Sequence, residues 1–331
     1  MWRREAAAFL VTWLIVGGLR ASEAGSTPAL DARAELVSPY QPYDLKLRPF
    51  YPVPSRAAGV LLHACINGGR PLRLVLDSGA EFIVIGAKAA RSVGLSAGSE
   101  MELVGLGSRP ARVGRAETVE IGPVSFRNCR VAFVDGKVVD GADGVIPLSL
   151  FSDFVLRLNL PEKRLGLIPY PREQDLPIPS SRGVTKRRLL LVATVLNGKQ
   201  SGYVILDTGA FCSAISREVA RTLSGSHIVP EVRVAAGTGA ATGQRVSSAV
   251  HFAIAEQDLI PNEVVAVDLS NLSRHCGVEV MGVLGFPALT NYVLTIDYHN
   301  GRVKIEPPQG IFARELHRRH NAKPPAPLAF P

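Results

Sequence analysis

Val75-Leu76-Asp77-Ser78-Gly79-Ala80 and Ile205-Leu206-Asp207-Thr208-Gly209-Ala210 are two copies of one pattern: an apolar run that ends in Asp, a hydroxyl residue, Gly and Ala. Their flanks repeat with them. Val60-Leu61-Leu62-His63-Ala64-Cys65-Ile66-Asn67-Gly68 precedes the first copy, and Leu190-Leu191-Val192-Ala193-Thr194-Val195-Leu196-Asn197-Gly198 precedes the second, both at a shift of 130 residues. Farther on, Gly144-Val145-Ile146-Pro147 answers Gly282-Val283-Leu284-Gly285 at a shift of 138, so the second copy carries an eight-residue insertion, expected in a loop. Self-similarity on this scale predicts an internal duplication.

Each copy reads as a strand, an Asn-Gly hairpin turn and a second strand running into the Asp turn. A short apolar strand (82–85; 211–215), a helix of about two turns (87–93; 217–223), Gly-rich hairpins and the apolar Gly-Val segment follow. Plentiful Gly (31) and Pro (24) with few aromatics (6%) suit the same picture. The predicted fold is mostly β: two related closed, barrel-like lobes with short helices, packed about a pseudo-twofold axis. The expected boundaries are a signal peptide at 1–24, an extended lead-in or pro-like segment at 25–57, a first lobe at 58–169, a linker at 170–186, a second lobe at 187–308 and a basic, Pro-rich tail at 309–331.

The N-terminus has a basic start, an uncharged apolar run over 6–19 and a small-x-small site at Ser22-Glu23-Ala24, which predicts export to the periplasm or the medium. The run is shorter than the roughly 20 residues that span a bilayer. An uncleaved leader would anchor the chain; after its removal no stable membrane span is expected. The formal net charge of +8 is scattered, and no basic stripe is interleaved with aromatics, which argues against nucleic acid as a partner. Four cysteines fall two per copy. Pairing of Cys65 with Cys129 and of Cys212 with Cys276 competes with four buried free thiols.

A carboxylate placed directly after an apolar strand is desolvated, which raises its pKa. Ser78 and Thr208 supply hydroxyls that can tie each turn, while Gly79 and Gly209 clear space for another backbone. If the lobes pack about a twofold axis, Asp77 and Asp207 lie side by side and share one proton. One then serves as base while the other serves as acid, and a water between them becomes a nucleophile.

At these residues the chain resembles the retropepsin-like aspartic proteases, twice over between about residues 58 and 308. The resemblance implies catalytic roles for Asp77 and Asp207, supporting roles for Ser78, Gly79, Ala80, Thr208, Gly209 and Ala210, and a pepsin-like pseudo-dimer formed within one monomeric chain. It also implies substrate-covering flaps at the Gly-rich stretches from Gly105 and Gly107 to Gly114 and from Gly237 and Gly239 to Gly243. Val283-Leu284-Gly285 fits the family's second motif, whereas Pro147 stands where Gly is usual. Neither flap has the Tyr of pepsin-like enzymes. Ala80 and Ala210 replace the extra hydroxyl found there in many of those enzymes, which should raise the pKa values of the pair and move activity toward mildly acidic or neutral pH.

The expected function is an exported aspartic endopeptidase acting on a peptide or protein substrate with no cofactor and no metal. A competing expectation, favoured by Pro147 and the Tyr-free flaps, is a non-catalytic module that binds a peptide or an envelope component. Two other motifs lose on context. Gly94-Leu95-Ser96-Ala97-Gly98 fits a serine-hydrolase elbow in letters only, because a helix precedes it and a strand follows. The glycines from Gly237 to Gly243 lack the helix a phosphate loop needs.

Overall fold

The computed structural model describes residues 9–10, 16–18, 34–52, 57–95, 98–170, 181–186, 189–223 and 228–308. The expected tail at 309–331 lies outside the described residues, as does the expected leader apart from strands β1 (Phe9–Leu10) and β2 (Val16–Gly18). Among the described residues no helix is long and apolar enough to cross a membrane.

The lead-in contributes β3 (Glu35–Leu36), β4 (Tyr43–Lys46) and β5 (Arg48–Phe50). The first lobe runs through β6 (Gly59–Ile66), β7 (Leu72–Asp77), β8 (Ile83–Gly86), α1 (Ala87–Ser92), β9 (Ser99–Val104), β10 (Ser108–Ile121), β11 (Val124–Val134) and β12 (Gly144–Pro147). A 3-10 turn (Leu148–Phe151), β13 (Phe154–Asn159) and β14 (Arg164–Pro169) close it. The stretch read as a linker supplies a strand, β15 (Ser181–Lys186). The second lobe continues with β16 (Leu189–Leu196), β17 (Gln200–Asp207), β18 (Ser213–Ser216), α2 (Arg217–Thr222), β19 (Ile228–Ala236) and β20 (Gly239–Val246). It ends with β21 (Phe252–Ile254), β22 (Gln257–Leu259), β23 (Val264–Val267), α3 (Ser270–Cys276), β24 (Val280–Gly285), α4 (Phe286–Leu289), β25 (Val293–Asp297) and β26 (Arg302–Glu306). The architecture is mostly β, with two lobes and short helices.

The hairpins that lead to the two Asp turns close as the sequence predicts. Asn67 and Gly68 have φ of 50° and 66°, and Asn197 and Gly198 have 47° and 66°. Two successive positive φ angles are what a tight hairpin of the right twist requires.

Behind each Asp turn one strand is inserted between two others. β12 lies parallel to β7 and antiparallel to β8, and β24 stands in the same relation to β17 and β18. All residues of β8, β12, β18 and β24 are buried. This explains why β8, β12 and β24 read as nearly unbroken apolar runs and not as alternating ones, whereas β18 begins and ends on a buried Ser. Close packing leaves no room at the glycines: a Cβ on Gly144 would meet the Val84 carbonyl oxygen at 2.0 Å, and one on Gly282 would meet that of Ala214 at 2.6 Å.

Registers equate the halves strand by strand. Gly144 faces Leu74 as Gly282 faces Val204, and Val134 faces Gly86 as Val267 faces Ser216. Between these fixed points the stretch from Val267 to Gly282 is five residues longer than that from Val134 to Gly144. The second copy uses the extra length for α3, so most of the insertion expected in a loop is helical.

The unusual Pro147 fits its place. Its equivalent Gly285 donates its N–H to Ser213 Oγ at 3.1 Å. In the first lobe the equivalent of Ser213 is Ile83, so the acceptor and the donor are missing together and no N–H is orphaned. Pro147 has φ of −70°, which its ring favours.

Beneath both lobes β13 and β25 pair antiparallel, Leu156 facing Ile296, with β14 and β4 extending the sheet on one side and β26 and β15 on the other. This shared sheet joins the lobes. No disulfide joins any of the four cysteines, so neither of the two possible pairings forms. Burial pushes the Cys129 thiol up to about 12. Asp297, the last residue of β25, is buried, and it accepts hydrogen bonds from Tyr170 Oη at 2.8 Å and from Asn300 at 3.0 and 2.7 Å.

Gly144→Ala and Gly282→Ala should each destabilise the fold by about 1–3 kcal/mol, the usual cost of overpacking a core. Denaturant midpoints equal to that of the parent chain would contradict the threading of β12 and β24 between their neighbours.

Candidate active site

β7 and β17 each end on an aspartate whose side chain is fully buried, and the two turns that follow meet at the lobe interface. Four reciprocal hydrogen bonds lock them together. The Ser78 N–H donates to Thr208 Oγ1 at 3.1 Å, and the Thr208 N–H donates to Ser78 Oγ at 3.0 Å. Each hydroxyl then donates beneath the opposite turn, Ser78 Oγ to Leu206 O and Thr208 Oγ1 to Leu76 O, both at 2.8 Å. Each hydroxyl thus accepts one bond and donates one. A residue lacking the hydroxyl would orphan a buried N–H and a buried carbonyl of the other lobe.

The glycines decide how close the carboxyls come. A Cβ on Gly79 would lie 2.6 Å from Asp207 Cγ, and one on Gly209 would lie 2.5 Å from Asp77 Cγ. Each carboxyl therefore rests on the glycine of the opposite turn, which tolerates no side chain. Each is held from its own turn as well: the Gly79 N–H donates to Asp77 Oδ1 at 2.7 Å and the Gly209 N–H to Asp207 Oδ1 at 2.8 Å. Asp77 Oδ2 receives no hydrogen bond from any N–H or hydroxyl of the protein.

Burial is the largest influence on Asp77 and raises its pKa well above the ordinary carboxylate range. The neighbouring charge of Asp207 and their mutual hydrogen bond push the same way, against smaller lowering by the N–H groups of Gly79 and Ala80. Two carboxyls so placed disfavour simultaneous ionisation. Ala80 and Ala210, fully buried, complete the turns without a hydroxyl.

Over the turns stand two hairpin tips. Gly105, Leu106 and Gly107 join β9 to β10, with the Gly105 N–H bonded to Gly107 O at 2.8 Å; Gly237 and Thr238 join β19 to β20. The tips touch: a Cβ on Gly107 would be 3.1 Å from Thr238 O and 3.5 Å from Gly239 Cα. Leu106 reaches across into the buried cluster of the second lobe that includes Ile205 and Ala210. Gly114 and Gly243 lie farther back, within β10 and β20.

Several residues at the site carry no signal in the sequence reading. Arg109 Nη1 donates to Gly237 O of the opposite tip at 3.1 Å and to Lys137 O at 3.0 Å, and Nη2 donates to Asp135 O. Tyr298 is buried near enough to Asp77 that the aspartate's charge, after burial itself, raises its phenol and keeps it protonated. Glu81, directly after the first turn, bonds His275 of the other lobe at 3.1 Å. A lone Arg in a hairpin, a Tyr after a strand or a Glu after a motif looks like ordinary surface until the lobes are assembled.

Residues 62–149 match the sequence model of a family described as aspartyl protease, which places the first lobe in an aspartic protease family. The match runs from β6 to the 3-10 turn after β12 and so includes Asp77 and the first hairpin tip. Comparison with curated proteins gave no match.

Asp77 is stabilised in its protonated form, so its contribution to stability is full at acid pH and is lost as pH rises through its raised folded-state value. Asp77→Asn escapes that loss. Its melting temperature relative to the parent should therefore rise from pH 4 to pH 7.5, and a difference that stays flat or falls would contradict the shared-proton arrangement. Ser78→Ala and Thr208→Ala should each cost about 1–3 kcal/mol through the buried groups they leave unpaired, measured by chemical denaturation.

Proposed function

Given a first lobe of the aspartic protease family, we propose that this chain is an exported aspartic endopeptidase that hydrolyses peptide bonds with a water activated between Asp77 and Asp207. The observation that carries the proposal is the reciprocal seating of each carboxyl on the other turn's glycine, in a buried setting that raises the pKa of Asp77. Both carboxyls come from one chain, which supports a monomeric enzyme with an internal pseudo-dimer.

The chemistry follows from that proton count. The ionised carboxylate removes a proton from the water as its oxygen adds to the carbonyl carbon of the substrate. The proton held by the other carboxyl passes to the carbonyl oxygen, giving a neutral tetrahedral diol. The carboxyl that gained the water's proton then delivers one to the amide nitrogen. The C–N bond breaks, the diol returns a proton to the pair, and the singly protonated state is restored. Arg109 and the two touching tips are suited to cover an extended peptide and keep bulk water from the diol. Pro147, the feature that most favoured a binding module, is matched by Ile83 and does not disturb the first turn, which favours the catalytic reading. The apolar N-terminal run and its small-x-small site support export.

Asp77→Asn and Asp207→Asn should each lower cleavage of a peptide library by at least about 10²–10⁴-fold, the usual worth of acid–base catalysis, while both variants stay folded. Normal cleavage by both would remove the assignment. The raised pKa of Asp77 should carry the activity of the parent into mildly acidic or neutral pH, and a rate profile confined to strongly acidic solution would count against it. N-terminal sequencing of secreted chain should begin after Ala24; an intact N-terminus on membrane-bound protein would refute the export reading.

A further inference from the structure

The turn-following positions of the two copies, Glu81 and Phe211, are equivalent by the shift of 130 residues yet differ in chemistry. Each crosses the lobe interface. Phe211 is buried in the first lobe's cluster with Phe50, Val138 and Val139, its ring 5.8 Å from that of Phe50. Val138 and Val139 lie in the connection between β11 and β12. Glu81 crosses the other way, to the equivalent connection of the second lobe, where α3 carries His275. Glu81 Oε1 and His275 Nε2 are 3.1 Å apart, and both side chains are more than nine-tenths buried. The matching connection in the first lobe, residues 135–143, has no helix. The residues added to the second copy therefore build the element that meets Glu81.

We propose that Glu81 and His275 are positioning residues: a polar brace, created by the α3 insertion, that holds the Asp77 turn from the opposite lobe as Phe211 holds the Asp207 turn through apolar packing. The brace acts four residues from Asp77, on the same turn whose Ser78 and Gly79 seat the two carboxyls. Geometry at the reacting centre is sensitive to small shifts of its supports. The catalytic consequence rests on the endopeptidase reading; the mechanical one does not.

The experiment pairs kinetics with local hydrogen exchange on the full chain. Glu81→Ala and His275→Ala should each lower kcat about 10-fold with KM little changed, the pattern of a displaced catalytic group. Glu81→Gln, which can still hydrogen-bond the imidazole, should recover most of the loss. In the two Ala variants the amides of residues 78–81 should exchange faster, while those of β13 and β25 keep the parent's protection. Parent-like kcat per folded molecule together with unchanged or uniformly faster exchange would overturn the brace. If the parent chain itself cuts no peptide, the endopeptidase reading fails, and the exchange at 78–81 alone decides whether the brace exists.

Discussion

Two like-charged groups buried face to face are the constraint around which the rest of this structure is arranged. Moving an ionised carboxylate out of water costs several kcal/mol even after relaxation, whereas each neutral hydrogen bond contributes about 0.5–1.5 kcal/mol net. The four bonds between Ser78, Thr208 and the carbonyls of Leu76 and Leu206 cannot offset two buried charges. Burial and the neighbouring Asp207 both favour the protonated form, the direction in which the pKa of Asp77 is raised. The interlocked turns do something else: they fix the separation of the carboxyls and keep either group from swinging away. The glycines beneath make that separation short.

Around this centre the two halves differ in compensating pairs. Pro147 with Ile83 stands opposite Gly285 with Ser213, and in both a buried backbone position is left with no unmet donor. Leu106 at one hairpin tip packs into the other lobe, while Thr238 at the other tip offers its carbonyl to the contact with Gly107. The side of the hairpin tips is consequently less symmetric than the side of the two turns. That division follows from physics. Two carboxyls meet equivalent surroundings only where the turns around them match, and the tips carry no such constraint.

The shared sheet explains how the halves can diverge without separating. β13 and β25 pair across the lobes through buried Leu156, Leu158, Leu294 and Ile296, so backbone hydrogen bonds and apolar burial join them at a distance from the turns. Changes at the rim, such as the α3 insertion, leave that join untouched. The hairpin tips meet on the opposite side, where Arg109 ties one to the other by carbonyl contacts that involve no carboxylate.

The sequence by itself determined what is local or repeated. Asn67-Gly68 and Asn197-Gly198 dictated their hairpins because few residue pairs accept two positive φ angles. The short apolar stretches at 82–85 and 211–215 and the apolar segments beginning at Gly144 and Gly282 marked strands. The repeat of Asp, hydroxyl, Gly and Ala named both turns and predicted that they would meet. Only the tertiary structure decided what the approach of the lobes creates. That each glycine carries the other copy's carboxyl, that Ile83 answers Pro147, that α3 delivers His275 to Glu81 and that Arg109 spans the tips are relations between residues from about 60 to nearly 200 positions apart. No local propensity encodes such pairs. Each partner alone is an unremarkable residue, and its role exists only once packing has set the distance between them.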